Sequence, residues 1–140
     1  MRLERDNFCF ACGKNNPRGL KMNIDIDYNG ARCEYFVPKD IQGWPNITHG
    51  GLISTMLDEI MVWAAAGRDI DTVTAEITVR FKNPLPTEHT VKIEGKILED
   101  RKRLLLTEAR IFDNNKVYAE ARAKLYRVTE SDKNRMHEST

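Results

Sequence analysis

Six stretches of the chain alternate apolar and polar residues with the two-residue period of a half-buried strand. Met22, Ile24, Ile26 and Tyr28 alternate with Asn23, Asp25 and Asp27. Asn29-Gly30 follows, a strong hairpin signal, and Arg32 to Val37 supplies the returning strand, stopped by Pro38. Val73, Ala75, Ile77, Val79 and Phe81 alternate with Thr74, Glu76, Thr78 and Arg80, and Asn83-Pro84-Leu85-Pro86 ends that run. Val91, Ile93, Gly95 and Ile97 form the next strand. Leu104 to Phe112 and Val117 to Tyr126 form the last two, joined by a turn at Asp113-Asn114-Asn115-Lys116.

One segment breaks this period. From about His49 to Ala66 there is no proline; Gly50-Gly51 opens the stretch and Gly67 can cap its end. Leu52, Ile53, Met56, Leu57, Ile60, Met61, Trp63 and Ala64 cover most of the circumference of a helix, and a helix apolar nearly all round is a buried one. Short connections between successive strands favour antiparallel pairing. The order strand, strand, helix, then four strands predicts an α+β hot-dog arrangement, an antiparallel sheet wrapped around one long central helix. Such a sheet keeps an open edge and a small core, so at least a homodimer, or a dimer of dimers, is expected. A site near the helix N-terminus would then be built by two chains. Residues 1–140 read as one domain, with 1–19 an irregular lead-in and 129–140 a polar, frayed tail.

Length supports one domain, at 140 residues. The 22 Lys and Arg against 21 Asp and Glu leave a formal charge of +1. Without a charge excess or a basic block, the footprint of a nucleic-acid partner is missing. No apolar run approaches the ~18 residues that span a bilayer, and no apolar stretch at the N-terminus reads as a signal peptide. A cytoplasmic location and no membrane association are expected. Cys9, Cys12 and Cys33 fit a reducing compartment. Cys9 and Cys12 form a Cys-x-x-Cys, but zinc wants about four ligands and no second pair follows. Gly13, Asn15, Asn16, Pro17 and Gly19 are turn chemistry, which favours loop packing for this pair over an intersubunit metal site or a redox role. No metal site and no cofactor are assigned.

The chemistry concentrates at the helix start. Gly51, Ser54 or Thr55, and Asp58 lie on one face, the one small or polar stripe of the helix. Glu59 sits about 100° further round. A carboxylate two turns into a buried helix is costly unless paired, hydrogen-bonded or wet; the alternative is a surface acid on a less buried helix. Two glycines let a substrate approach the free amides, which favour developing negative charge. An acid on the same face could then work on the same bound atom, the pairing of oxyanion site and base that acyl transfer to water needs. His49 reads equally as a helix cap or as a group acting on the carbonyl. His89, in a loop, and His137, in the tail, read as surface residues.

The stretch from Gly43 to Glu59, with His49-Gly50-Gly51 and Asp58 nine residues after the histidine, resembles the hot-dog acyl-CoA thioesterases, specifically those of phenylacetate-degradation type and the related human superfamily proteins. Thr74-Ala75 with Val79 to Pro84 looks like their first strand after the helix, and Cys9 to Gly13 with Asn16 to Leu20 also recurs in the group. The resemblance implies hydrolysis of acyl-CoA to acid and CoA. It implies Asp58 as general base or nucleophile, the Gly50 amide in an oxyanion hole, Thr74 positioning water or the acid, and His49 in a role that varies. Gly51 and Asn46 would line the substrate site. Arg80 and Lys82, with Asn83 beside them, are candidates to meet the phosphates of CoA. Gly43 departs from the pattern: the phenylacetate-type enzymes carry Asn there, and Asn46 and Gln42 lie close by. Hydratases of the same fold fit less well, because Trp63 stands fourteen residues after His49 where the carrier-protein dehydratases place their acid. A non-catalytic acyl-CoA binding or regulatory module is the remaining alternative.

Overall fold

The computed structural model describes residues 5–114 and 116–138. Strands β1 (Asp25–Asp27) and β2 (Gly30–Val37) precede a short 3-10 turn at Lys39–Ile41 and the helix α1 (Gly50–Ala66). Strands β3 (Thr72–Phe81), β4 (His89–Asp100), β5 (Leu104–Asp113) and β6 (Lys116–Arg127) follow, and then a second helix α2 (Glu130–Glu138). The strands form one sheet in the order β1-β2-β4-β5-β6-β3, and every neighbouring pair is antiparallel. The chain thus crosses by α1 from the β2 side of the sheet to its far edge, where β3 lies with one side unpaired. This is the hot-dog arrangement.

The helix is enclosed as its composition demands. Met56, Leu57, Ile60 and Met61 are fully buried, against Val91, Ile93, Leu105, Ile111 and Leu125 of the sheet. Burial of each such side chain contributes about 1.5–3 kcal/mol. Glycine lets the layers close: a Cβ on Gly95 of β4 would sit 3.0 Å from both the carbonyl oxygen and the Cγ2 of Ile60. Gly67 does cap α1, but in right-handed conformation (φ −62°). Its small size is used instead for contact with β1, where a Cβ would lie 2.3 Å from the Asp27 carbonyl oxygen.

Three local readings need correction. The first strand is only three residues long. Met22 is drawn away by a hydrogen bond from its amide to the Ala11 carbonyl, and Tyr28 belongs to the turn that Asp27 closes onto the Asn29 amide. The tail is not frayed over its described part. Thr129 and Asp132 form a reciprocal capping box: the Asp132 amide donates to Thr129 Oγ1 (3.1 Å), and the Thr129 amide to Asp132 Oδ2 (3.1 Å). Lys133 Nζ then pairs with the buried Asp71 carboxylate at 3.6 Å, fixing α2 to the start of β3. His89 is the first residue of β4 and is half-buried. Its Nε2 lies 2.5 Å from Asp113 Oδ2, and the Tyr118 hydroxyl donates to the same oxygen at 2.6 Å.

This cluster ties together one end of β4, β5 and β6. The hydrogen bond from Tyr118, then that from His89, lowers the pKa of Asp113 below its usual carboxylate value. A depressed carboxylate stabilises the fold above its unfolded pKa of about 3.9, and that contribution disappears as pH falls through the lower folded value. Asp113→Asn is therefore expected to be less stable than the wild type at pH 7. The two stability curves should converge below about pH 4 in chemical denaturation followed against pH.

Candidate active site

His49 is the N-cap of α1, with extended backbone (φ −62°, ψ 132°). The Gly51 amide donates to its Nδ1 at 2.9 Å, and the Leu52 and Ile53 amides donate to its carbonyl. Histidine thus replaces the usual Ser, Thr, Asp or Asn cap. With Nδ1 accepting, the neutral ring carries its proton on Nε2. The same bond occupies Gly51, so of the two opening glycines only Gly50 presents an N–H that no acceptor among the described residues takes. The Phe81 ring, at the end of β3, lies beside Gly50: a Cβ there would touch it at 3.5 Å. Ser54 and Thr55 turn their hydroxyls back onto the Gly50 and Gly51 carbonyls at 3.0 and 2.9 Å and so take no part beyond the helix.

Asp58 is half-buried, and Thr74 Oγ1 donates to its Oδ1 at 2.6 Å. A β-bulge makes this contact possible. Thr74 pairs with Leu125 and Glu76 with Lys124, so Ala75 is the extra residue on β3. Directly opposed residues share a sheet face, and Leu125 is fully buried. Thr74 therefore joins Ile77 and Val79 on the helix-facing side, whereas unbroken alternation would turn it outward with Thr78 and Arg80. The bulge re-aims one hydroxyl onto the acid of α1.

The structure brings Asp58 and Thr74 together, and separately His49, Gly50 and Gly51. It does not bring the two groups to one atom. Eight residues of helix at ~1.5 Å rise place Gly50 and Asp58 about 12 Å apart, and the backward tilt of side chains recovers only a few Å. Within a single copy, helix length alone keeps the acid and the free amide apart.

Asn46 adopts a left-handed turn conformation (φ 66°); its amide donates to Gln42 Oε1 and its Oδ1 accepts from Lys39 Nζ. Both candidates to replace the missing Asn are thus engaged with each other. A Cβ on Gly43 would lie 3.3 Å from His49 Cα and 3.5 Å from its ring, so position 43 does adjoin the cap. Lys82 Nζ pairs with Glu120 at 2.5 Å, the Asn83 side chain donates to the Val117 carbonyl at 2.7 Å, and Arg80 stands opposite Glu120. These residues lie at the Phe81 end of β3, away from Thr74.

Sequence reading missed two features. One is the Phe81 ring over Gly50. The other is a cluster on the side of α1 away from Asp58, where Cys9 Sγ donates to Glu59 Oε2 at 3.1 Å. Burial and the Glu59 carboxylate push the Cys12 thiol up to about 12, which argues against a nucleophilic redox pair. No local spacing exposes a contact between residues 50 positions apart.

A single helix held inside a six-stranded antiparallel sheet, with a free amide at its start and a hydroxyl-bonded carboxylate two turns on, defines a hot-dog protein. The chain belongs to the thioesterase superfamily: the family model matches residues 45–120, just over half of it. It is 35% identical over 111 residues to the acyl-coenzyme A thioesterase THEM4 of Xenopus laevis, an overlap that covers 75% of this chain and 50% of that protein. The chain thus spans about half the length of this curated relative. A crystal structure of a thioesterase superfamily protein superposes with a TM-score of 0.80 at 20% identity, covering 86% of this chain and 60% of that one. The E. coli PaaI protein from the phenylacetic acid degradation operon superposes at 0.72 and 20% identity, covering 77% and 84%. These two likenesses show the fold. Among the described residues, no helix is long and apolar enough to cross a membrane.

The Thr74–Asp58 contact is measurable in isolation. A hydrogen bond to a charged group contributes about 1.5–3 kcal/mol when both partners are in place. A double-mutant cycle of Thr74→Val with Asp58→Asn is expected to give a coupling of at least about 0.5 kcal/mol by urea unfolding. Additive effects would mean that the bulge does not aim Thr74 at the acid.

Proposed function

We propose that the protein hydrolyses acyl-CoA thioesters, with Asp58 as general base or nucleophile and the Gly50 amide as oxyanion donor. The observation that carries this reading is the Asp58 carboxylate held by Thr74 across a bulge, in a chain of thioesterase family whose relative in Xenopus laevis is named an acyl-coenzyme A thioesterase. A pre-aimed amide is worth roughly 3 kcal/mol to a developing oxyanion, and a positioned base ~10²–10⁴-fold. Thioesters are activated, so terms of this size suffice.

The 12 Å between Gly50 and Asp58, from ~1.5 Å per residue, calls for a second copy. Strand β3 supplies the means. It is an edge strand of ten residues, and Val73 and Phe81 on it are 43% and 57% exposed. Two copies pairing this edge antiparallel about its middle set Thr72 opposite the partner's Phe81, and Thr74 opposite the partner's Val79. Thr74 marks the position of Asp58, and Phe81 marks the position of Gly50. The pairing therefore carries the acid of one copy toward the free amide of the other, and two equivalent sites result. His49 keeps Gly51 in place and offers Nε2–H beside Gly50. Asn46 and Gly51 border the same loop. Arg80 and Lys82, with Asn83, stand at that end of β3 with cationic charge for the CoA phosphates. Hydrolysis then proceeds as water attacks the thioester carbon while Asp58 takes its proton, the oxyanion rests on Gly50, and the thiolate of CoA leaves and is protonated.

The test is thiol release from a panel of short, long and aromatic acyl-CoAs by three proteins. Asp58→Asn is expected to reduce kcat by about 10² or more. Gly50→Pro removes the amide proton and adds a ring whose Cβ would meet Phe81 at 3.5 Å, an ordinary contact. Proline is favoured at the first helical position, and the extended backbone of His49 accepts a following proline. This variant is expected to stay folded and to lose about 10²–10³ in kcat. Wild-type release that neither substitution changes would overturn the assignment. Binding of CoA without release by the wild type would make the protein a binding module.

A further inference from the structure

Two thiols and a carboxylate meet on the side of α1 that faces the lead-in, outside the site described above. Cys9 Sγ, Cys12 Sγ and a carboxylate oxygen of Glu59 all lie within 4.8 Å of one another, and the Cys9 thiol is 3.1 Å from Glu59 Oε2. We propose that Cys9, Cys12 and Glu59 form a binding site for a zinc-class divalent cation.

The chemistry of the donor set selects the ion. Two sulfurs and one carboxylate oxygen suit a borderline-soft ion that prefers tetrahedral S, N and O ligands, and they suit magnesium or calcium poorly. Bond lengths of ~2.3 Å to sulfur and ~2.0–2.2 Å to oxygen place tetrahedral ligand atoms about 3.4–3.8 Å apart. The three atoms need only small side-chain rotations to reach that spacing. A bound dication displaces the two thiol protons to solvent, and both cysteines then bind as thiolates.

The site is built on rigid supports. The Gly13 amide donates to the Cys9 carbonyl at 2.8 Å and the Asn15 amide to the Asn7 carbonyl at 2.8 Å, folding the segment around its two thiols. Gly13 has no space for a side chain: a Cβ would lie 2.4 Å from the Cys9 nitrogen. The Leu20 and Met22 amides hold the Phe10 and Ala11 carbonyls between the cysteines at 2.8 and 2.9 Å. Glu59 comes from the enclosed helix. Among the described residues no Lys, Arg or His forms an ion pair with the half-buried Glu59, and its carboxylate faces the two thiols. A cation at this point satisfies it. Cys9 and Cys12 line an open cleft of 610 Å³ with Arg5, Asp6 and Trp63, which leaves the fourth coordination position to water.

The ion would tie the lead-in to α1 at the residue next to Asp58. Its effect on that helix is positional: Glu59 lies about 100° round from Asp58, and the metal takes no place at the reacting carbonyl. The proposal does not depend on the thioesterase reading.

The test uses the full chain, reduced and stripped with a chelator, titrated with Zn²⁺ alone and with Co²⁺ alone. One Zn²⁺ per chain is expected, together with a thiolate-to-cobalt charge-transfer band on Co²⁺ addition. Zn²⁺ should raise the Tm of the wild type and shield Cys9 from alkylation, read by peptide mass mapping. Cys9→Ser and Cys12→Ser should each abolish the cobalt band. Glu59→Gln should weaken Zn²⁺ affinity at least ~10-fold, while Cys33→Ala, on β2, should bind as the wild type does. The alkylation readout on the wild type keeps the test decisive if a serine variant fails to fold. Absence of stoichiometric Zn²⁺ uptake by the reduced, folded wild type would overturn the proposal. So would uptake that Glu59→Gln leaves unchanged, or uptake with no protection of Cys9.

Discussion

Enclosure of α1 is the constraint on which the rest of the structure depends. Seventeen residues of helix carry apolar side chains on nearly every side, and Met56, Leu57, Ile60 and Met61 have no contact with solvent at all. No flat layer can cover such a helix, so the sheet must curl around it, with Gly95 thinned to let Ile60 approach. Curling uses up the sheet. Strands β4, β5 and β6 form its middle, and β3, joined to α1 by a short connection, is left at the edge. The polar groups of the helix then sit where the sheet does not close over it: the Gly50 amide at its start, Asp58 at the seam between α1 and β3, and Glu59 beside the lead-in.

The same constraint separates Gly50 from Asp58. A straight helix fixes the distance between its residues, and no side-chain rotation closes a gap of about 12 Å set by ~1.5 Å per residue. The proposed remedy is symmetry. The edge that enclosure leaves open is the edge whose antiparallel pairing brings the two half-sites face to face. Assembly and activity then have one structural cause. The bulge at Ala75 belongs to the same economy of parts: one inserted residue reverses the face of Thr74 without disturbing the pairing of Ile77 to Phe81 with β6.

Much of this was legible in the residues. The two periods separated helix from strands, and the near-total apolar cover of 52–64 announced burial. Asn29-Gly30 marked its hairpin, and the His49-Gly50-Gly51 stretch with Asp58 carried the family. What escaped has identifiable reasons. Strict alternation assigns Thr74 to the outward face, because a bulge has no sequence signature as plain as a turn's. The capping box Thr129-Glu130-Ser131-Asp132 was present but lay in a segment whose composition reads as polar tail. His49 gave two equal readings; the 2.9 Å bond from the Gly51 amide makes it the cap through Nδ1, and the proposed role at the carbonyl falls to Nε2. Glu59 was placed correctly away from Asp58, yet the thiols it faces come from a distant part of the chain, which periodicity does not connect to it.

The central claim is that one site draws Asp58 from one copy and Gly50 from the other. Subunit mixing tests it most directly. Asp58→Asn and Gly50→Pro chains, each inactive alone, are unfolded together and refolded, with exchange verified by native mass spectrometry. In a two-fold pair, half the assemblies are mixed, and each mixed pair contains one site with both groups intact. Thioesterase activity is therefore expected to return to about a quarter of the wild-type value. Activity that stays at the level of the separate variants, despite verified exchange, would contradict the account.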